Sequence, residues 1–161
     1  GPGPAALLDI TQRYEQAVCE HIAAQWQRLE RPALLQRLGR LAPLCVLTNE
    51  TTRMQLAKWA AVDGEGALFA AFVTSEELGL EKPAPANFLA AAQQLGCEPA
   101  DCLMVGDDLR CDIEPASALG MQAVWTQEFS PADAPYVALP IGSGVHELSA
   151  LADLPTLLRQ S

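Results

Sequence analysis

Lysine occurs only twice in these 161 residues, at Lys58 and Lys82, and the formal net charge is −10. A chain this acidic repels nucleic-acid backbone and anionic membrane, both of which are recognised through basic patches, so neither is expected as a partner. Histidine is equally scarce, with His21 and His146 alone. The five cysteines, Cys19, Cys45, Cys97, Cys102 and Cys111, form no Cys-x-x-Cys pair, which leaves zinc with little support. Their odd number, and the position of Cys45 and Cys102 inside apolar runs, reads as reduced thiols of a cytoplasmic protein rather than a disulfide frame. No apolar stretch reaches the roughly 20 residues of a membrane span. There is no visible signal peptide, internal repeat or low-complexity tract.

Half the residues are apolar and 19% are charged, an ordinary globular composition at a length suited to one core domain. Apolar residues recur every three or four positions over 14–29 (Tyr14, Val18, Ile22, Trp26, Leu29), predicting an amphipathic helix. Pro32 opens a second helix, carrying Leu34, Leu35, Leu38 and Leu41. The unbroken run Leu44-Cys45-Val46-Leu47 predicts a strand buried on both faces. After it, Thr51 or Thr52 can cap a helix. Further strands are expected at 68–73, 102–105, 121–125 and 136–139, and helices at 83–95, 112–119 and 147–158, with Gly96 and Gly120 as C-terminal caps. Residues 130–135 read as a proline-bearing loop. Strands alternating with helices predict an α/β, doubly wound parallel sheet over residues 32–161, preceded by a helical segment over residues 1–31.

Three polar clusters each close an apolar run: Leu47-Thr48-Asn49, Glu81-Lys82-Pro83, and Val105-Gly106-Asp107-Asp108 with Asp112 following. Open α/β sheets place ligands beyond the carboxyl ends of their strands. There, the Thr48 hydroxyl and the amides of Asn49 and Glu50 are neutral donors to an anion, or else merely a turn or helix cap. Pro83 favours an extended backbone at Lys82, whose charge suits a phosphoryl group or a neighbouring carboxylate. Adjacent Asp107 and Asp108 repel one another, a cost offset by a divalent cation or a lysine. Oxygen ligands of this kind favour Mg²⁺, which needs only one or two protein carboxylates. Asp112 either holds a metal-bound water or caps the next helix.

Threonine, then lysine, then the acid pair, each after its own strand, resembles the haloacid dehalogenase-like hydrolase superfamily. Thr48 matches its second motif, Lys82-Pro83 its third, and Gly106-Asp107-Asp108 with Asp112 its fourth; the flanking Val73-Thr74-Ser75-Glu76-Glu77-Leu78-Gly79 and Ala118-Leu119-Gly120-Met121 fit as well. The resemblance covers most of the chain and implies a Rossmann-like sheet and Mg²⁺-dependent hydrolysis of a small phosphomonoester. In that chemistry Lys82 is catalytic, Thr48, Asn49 and Lys82 hold phosphate, and Asp107, Asp108 and Asp112 serve the metal. Relatives that cleave carbon–halogen bonds do without the Mg²⁺ acids, and phosphoacceptor receiver domains carry these groups in the reverse order.

The resemblance also implies an Asp-x-Asp-x-Thr segment before Thr48 to supply the nucleophile. None is present; the sole aspartate there is Asp9, in Ala5-Ala6-Leu7-Leu8-Asp9-Ile10-Thr11. Ala5 to Leu8 lacks the β-branched residues of a central strand, and Leu7, Leu8, Thr11, Tyr14 and Val18 continue the helical stripe. Residues 14–41 resemble instead the helix pair that ends a cap in relatives. The chain is therefore expected to be inactive by itself, either a degenerate phosphatase or a non-catalytic binding or assembly module. Since the family's first strand lies mid-sheet, the gap is expected to be filled by re-pairing, by another copy, or by a complementing segment.

Overall fold

The computed structural model describes residues 1–128 and 144–159, so the strand expected at 136–139 and the loop at 130–135 lie outside the described residues. Two compact units emerge: a helical one, residues 1–44 and 50–70, and a sheet-bearing one, residues 45–49 and 71–161. The helical unit thus takes in more than the predicted segment of residues 1–31.

In the helical unit, α1 (Pro4–Arg28) begins ten residues before the first predicted position, with a proline in its first turn. It is followed by α2 (Arg31–Gly39) and α3 (Thr52–Val62). The Thr51 hydroxyl caps α3 by accepting the Met54 amide at 3.4 Å, as expected. α1 packs along α3, with Arg53 paired to Glu15 at 2.8 Å. Phe69 meets the edges of both Trp26 and Trp59, at ring centroid distances of 6.5 and 6.0 Å. Asp63 closes α3 by accepting the Trp59 indole N–H (2.9 Å) and the amides of Leu68 (2.8 Å) and Ala67 (3.0 Å). Partial burial pushes the Asp63 carboxyl up, but these donors, with the Gly66 amide, outweigh it and hold the group below its ordinary range.

The sheet-bearing unit contains β1 (Cys45–Thr48), β2 (Ala71–Thr74), β3 (Leu103–Gly106), β4 (Gln122–Thr126) and β5 (Val145–Leu148). All pairings are parallel, as the uninterrupted apolar runs imply. Among the described residues they form two separate sheets, β1-β2 and β3-β4-β5. Between them in sequence run α4 (Ser75–Leu78), α5 (Pro85–Leu95), a wide helical turn at Leu109–Ile113, and α6 (Glu114–Ala118). Gly96 (φ 70°) and Gly120 (φ 82°) take the left-handed conformation that their capping positions require.

Phe88 and Ala92 of α5, with Ala116 and Met121, form a core cluster that touches Leu47 of β1 and Met104 of β3, so both sheets rest on one apolar floor. On β4, Ala123 and Trp125 join Ile113 in a second cluster. Two expectations need correction. The predicted helix over 147–158 is β5 through Leu148 and then α7, only Leu154–Leu157, because Val145 to Leu148 pairs with β4. The run through β1, expected to be buried on both faces, is half-buried at every position, as is β3. The five cysteines are free, and burial pushes the Cys45 thiol up to about 11 and the Cys102 thiol up to about 12, which keeps both unreactive. No helix of the described residues is long and apolar enough to cross a membrane.

Candidate functional site

The sheet-bearing unit brings together the strand ends from which Thr48, Lys82 and the acids emerge. Asn49, just past β1, uses both ends of its side-chain amide on the main chain of Lys82. Its Nδ2 donates to the Lys82 carbonyl at 3.0 Å, and its Oδ1 accepts the Lys82 N–H at 2.7 Å. This two-point clasp fixes the loop before α5 against the end of β1. Lys82 then extends its ammonium to Oδ1 of Asp112 at 2.6 Å, with side chains only 12% and 6% exposed. Of the two roles open to Lys82, neutralising a carboxylate is the one seen.

Asp112 lies on the wide turn after β3 and crosses back over the strand end. Its Oδ2 accepts the Asp108 N–H at 3.3 Å. Gly106 makes this crossing sterically feasible: a Cβ built there would stand 2.4 Å from Asp112 Oδ2. Asp108 caps the turn, its Oδ1 accepting the amides of Arg110 and Cys111 at 2.9 Å each. The Cys111 amide is the main reason that the Asp108 carboxyl is held below its ordinary range; burial opposes it, while the Arg110 amide and the Lys82 charge assist. Asp107 is exposed, and its carbonyl accepts the Trp125 indole N–H at 3.0 Å, tying the end of β3 to β4. Thr48 is half-buried, in register with Thr74, whose hydroxyl caps α4 by accepting the Glu77 amide at 3.3 Å.

A continuous polar path therefore runs Asn49–Lys82–Asp112–Asp108, from the end of β1 to the end of β3. Three of its features were not predicted from sequence. The Asn49 clasp joins residues 33 positions apart, and the Trp125 bond spans 18. The role of Gly106 follows from an approach distance no sequence pattern states. Among the described residues no three His, Cys, Asp or Glu side chains gather as a closed metal cage. That arrangement still fits Mg²⁺, which keeps several waters and takes one or two carboxylates. Asp9 lies on α1, exposed and paired to Arg13 at 2.9 Å, and not at a strand end.

A parallel α/β sheet whose strand ends gather a threonine, a lysine and clustered acids defines a hydrolase class built for anionic substrates. The chain belongs to the haloacid dehalogenase-like hydrolases, whose family model matches residues 4–120. It is 33% identical over 133 residues to ribulose-1,5-bisphosphate 5-phosphatase of Halopiger xanaduensis, covering 83% of this chain and 54% of that protein. To N-acylneuraminate-9-phosphatase of Rattus norvegicus it is 34% identical over 128 residues, covering 79% and 50%. The chain thus spans about half the length of these relatives. Among solved structures it resembles a HAD phosphatase from Thermococcus onnurineus, with TM-score 0.66 and 27% identity over 78% of this chain and 55% of that one. A 2-haloacid dehalogenase from Pseudomonas syringae pv. Tomato is also similar, at TM-score 0.62 and 27% identity over 80% and 51%. The scaffold serves both chemistries, so the choice between them rests on the site.

Proposed function

We propose that this chain carries the phosphate- and cation-holding side of a phosphomonoesterase site and binds a small phosphorylated molecule together with Mg²⁺. The polar path Asn49–Lys82–Asp112–Asp108 carries this reading, since it holds a lysine and two acids at the ends of two parallel strands. Thr48 donates its hydroxyl and Lys82 its ammonium to phosphoryl oxygens, and Asn49 sets the backbone from which Lys82 projects. Asp107 and the outer oxygen of Asp108 are the ligands for Mg²⁺, which when bound offsets phosphoryl charge. Asp112 positions Lys82. The phosphatase relatives, and the presence of acids that halide chemistry does not need, support phosphate over a haloacid.

No nucleophile of the family's kind is supplied by these 161 residues, so the chain by itself holds its ligand without turnover. The exposed position of Asp9 on a helix favours this reading, that of a binding or assembly module on a phosphatase scaffold. Calorimetric titration of inorganic phosphate in the presence of Mg²⁺ tests the site. The double variant Lys82→Gln/Asp112→Asn, which removes both halves of the ion pair, is expected to bind phosphate about tenfold or more weakly, the loss of one charge-assisted hydrogen bond. Equal affinity in the two proteins would remove the phosphate assignment. An aryl phosphate assay with Mg²⁺ should show no turnover above background, whereas hydrolysis lost in Lys82→Gln and unaffected by Asp9→Asn would reveal a nucleophile elsewhere in the chain.

A further inference from the structure

We propose that Cys97 and Cys102 form a thiol–disulfide exchange site that takes an amine-bearing disulfide of low molecular weight and closes into an intramolecular disulfide. This does not rest on the phosphate reading: Cys102 precedes β3 and Asp107 follows it, so the thiols and the acids lie at opposite ends of that strand. The two sulfur atoms stand 3.3 Å apart, in contact and unbonded. The backbone that carries them is fixed on both sides. Gly96, left-handed at φ 70°, ends α5, and the Cys97 amide donates to the Ala92 carbonyl at 3.1 Å. A helical turn at Pro99–Asp101 brings the chain back, with the Cys102 amide donating to the Pro99 carbonyl and the Cys102 carbonyl accepting the Gln122 amide, each at 3.0 Å. With the main chain held in this way, bond formation needs the sulfurs to close by about 1 Å, which side-chain rotation supplies.

The two thiols have different roles. Cys97 lines an open surface hollow with Leu89, Gln93, Glu98 and Asp101, so it is the sulfur that an incoming disulfide meets. Cys102 packs against the Phe88 cluster, and its thiol donates to the Glu98 carbonyl at 3.4 Å, so it is the inner partner. Burial first, then the hydrogen bond and charge of Cys97, push the Cys102 thiol up, and the Cys97 contribution ends once that sulfur is bonded elsewhere. Exchange proceeds by two displacements. Cys97 gives its thiol proton to solvent and its sulfur attacks one sulfur of the small disulfide, whose S–S bond breaks and releases one thiolate that takes up a proton. Cys102 then loses its proton and attacks the Cys97 sulfur, forming the intramolecular bond and expelling the second small thiolate, which is protonated in turn. Two protein thiols are oxidised and one small disulfide is reduced to two thiols, with no net change in protons. The surroundings select the reagent. Glu98 and Asp101 edge the hollow on a chain of net charge −10, and among the described residues its lining holds no lysine, arginine or histidine, so a cationic disulfide is drawn in and an anionic one repelled.

The test exposes the folded full chain to cystamine, blocks the remaining thiols and maps the cysteines by mass spectrometry. Trypsin cleaves after Lys58 and Arg110 and not between Lys82 and Pro83, so the segment from Trp59 to Arg110 holds Cys97 and Cys102 and no other cysteine. In the wild type that segment should lose two hydrogen atoms and regain them with dithiothreitol. Cys102→Ser should keep a cysteamine adduct on Cys97, because nothing displaces it, and Cys97→Ser should leave Cys102 a free thiol over the same time. Circular dichroism checks that both variants are folded, and the wild-type map stands without them. A wild type in which both thiols stay free, in which either is linked to Cys45, or in which the Cys97 adduct persists would overturn the proposal. Cystamine should also react about threefold or more faster than the dianion dithiodiglycolate at low salt, with the two rates converging as salt is added. Equal rates at low salt would overturn the choice of reagent.

Discussion

β1 and β3 differ from β2 and β4 in a way their sequences do not foretell. All four are short, apolar and parallel, and each contributes one valine: Val46, Val73, Val105 and Val124. Val73 and Val124 are 1% and 0% exposed, while Val46 and Val105 are only half-buried. The strands that carry the site residues are thus the less covered ones. The difference teaches that burial of a strand is a property of its neighbours rather than of its own composition.

The largest effect should come from removing what the two sheets share. Phe88→Ala empties the floor beneath Leu47 and Met104 and should cost about 3–5 kcal/mol in urea denaturation. Lys82→Gln leaves the Asp112 carboxylate buried without a cation and should cost about 3 kcal/mol. Adding Asp112→Asn should recover most of that loss; no recovery would mean the pair is not the source of the cost. A valine-to-alanine series then measures the comparison itself. Val73→Ala and Val124→Ala should each cost about 2 kcal/mol, and Val46→Ala and Val105→Ala about half as much. Equal costs would show that β1 and β3 are as covered as their partners.

Gly106→Ala should cost roughly 1–2 kcal/mol by forcing Asp112 off the strand end, with a weakened response of the Lys82 ammonium to Asp112 in NMR. The smallest effect lies in the helical unit and serves as a control. The Asp63 carboxyl is held below its unfolded value, so its contribution is full above about pH 4 and fades as pH falls through the depressed folded value. Thermal melting of Asp63→Asn should therefore lose part of the wild type's acid sensitivity, leaving amide hydrogen exchange at β1 to β4 unchanged.

Much of this was legible in the sequence wherever a local rule decided the outcome. Thr51 as a cap, Gly96 and Gly120 as left-handed stops, and the runs of β1, β3 and β4 follow from capping chemistry and short apolar stretches. The gathering of Thr48, Lys82 and the acids at strand ends was legible from their order along the chain. β5 was not, since His146 and Glu147 are exposed and the strand exists through pairing with β4. The half-burial of β1 was illegible for the same reason: an apolar run states what a strand can bury, and its neighbours decide what it does bury. Asn49 was read as an anion contact, and only the fold reveals that its side chain is committed to Lys82.

The convergence of the strand ends is most directly tested by following backbone amide shifts during a titration of inorganic phosphate with Mg²⁺. Thr48, Asn49, Lys82 and Asp107 should shift together and fit a single Kd. Shifts that fit separate dissociation constants, or that fall elsewhere while these four stay still, would contradict a common site.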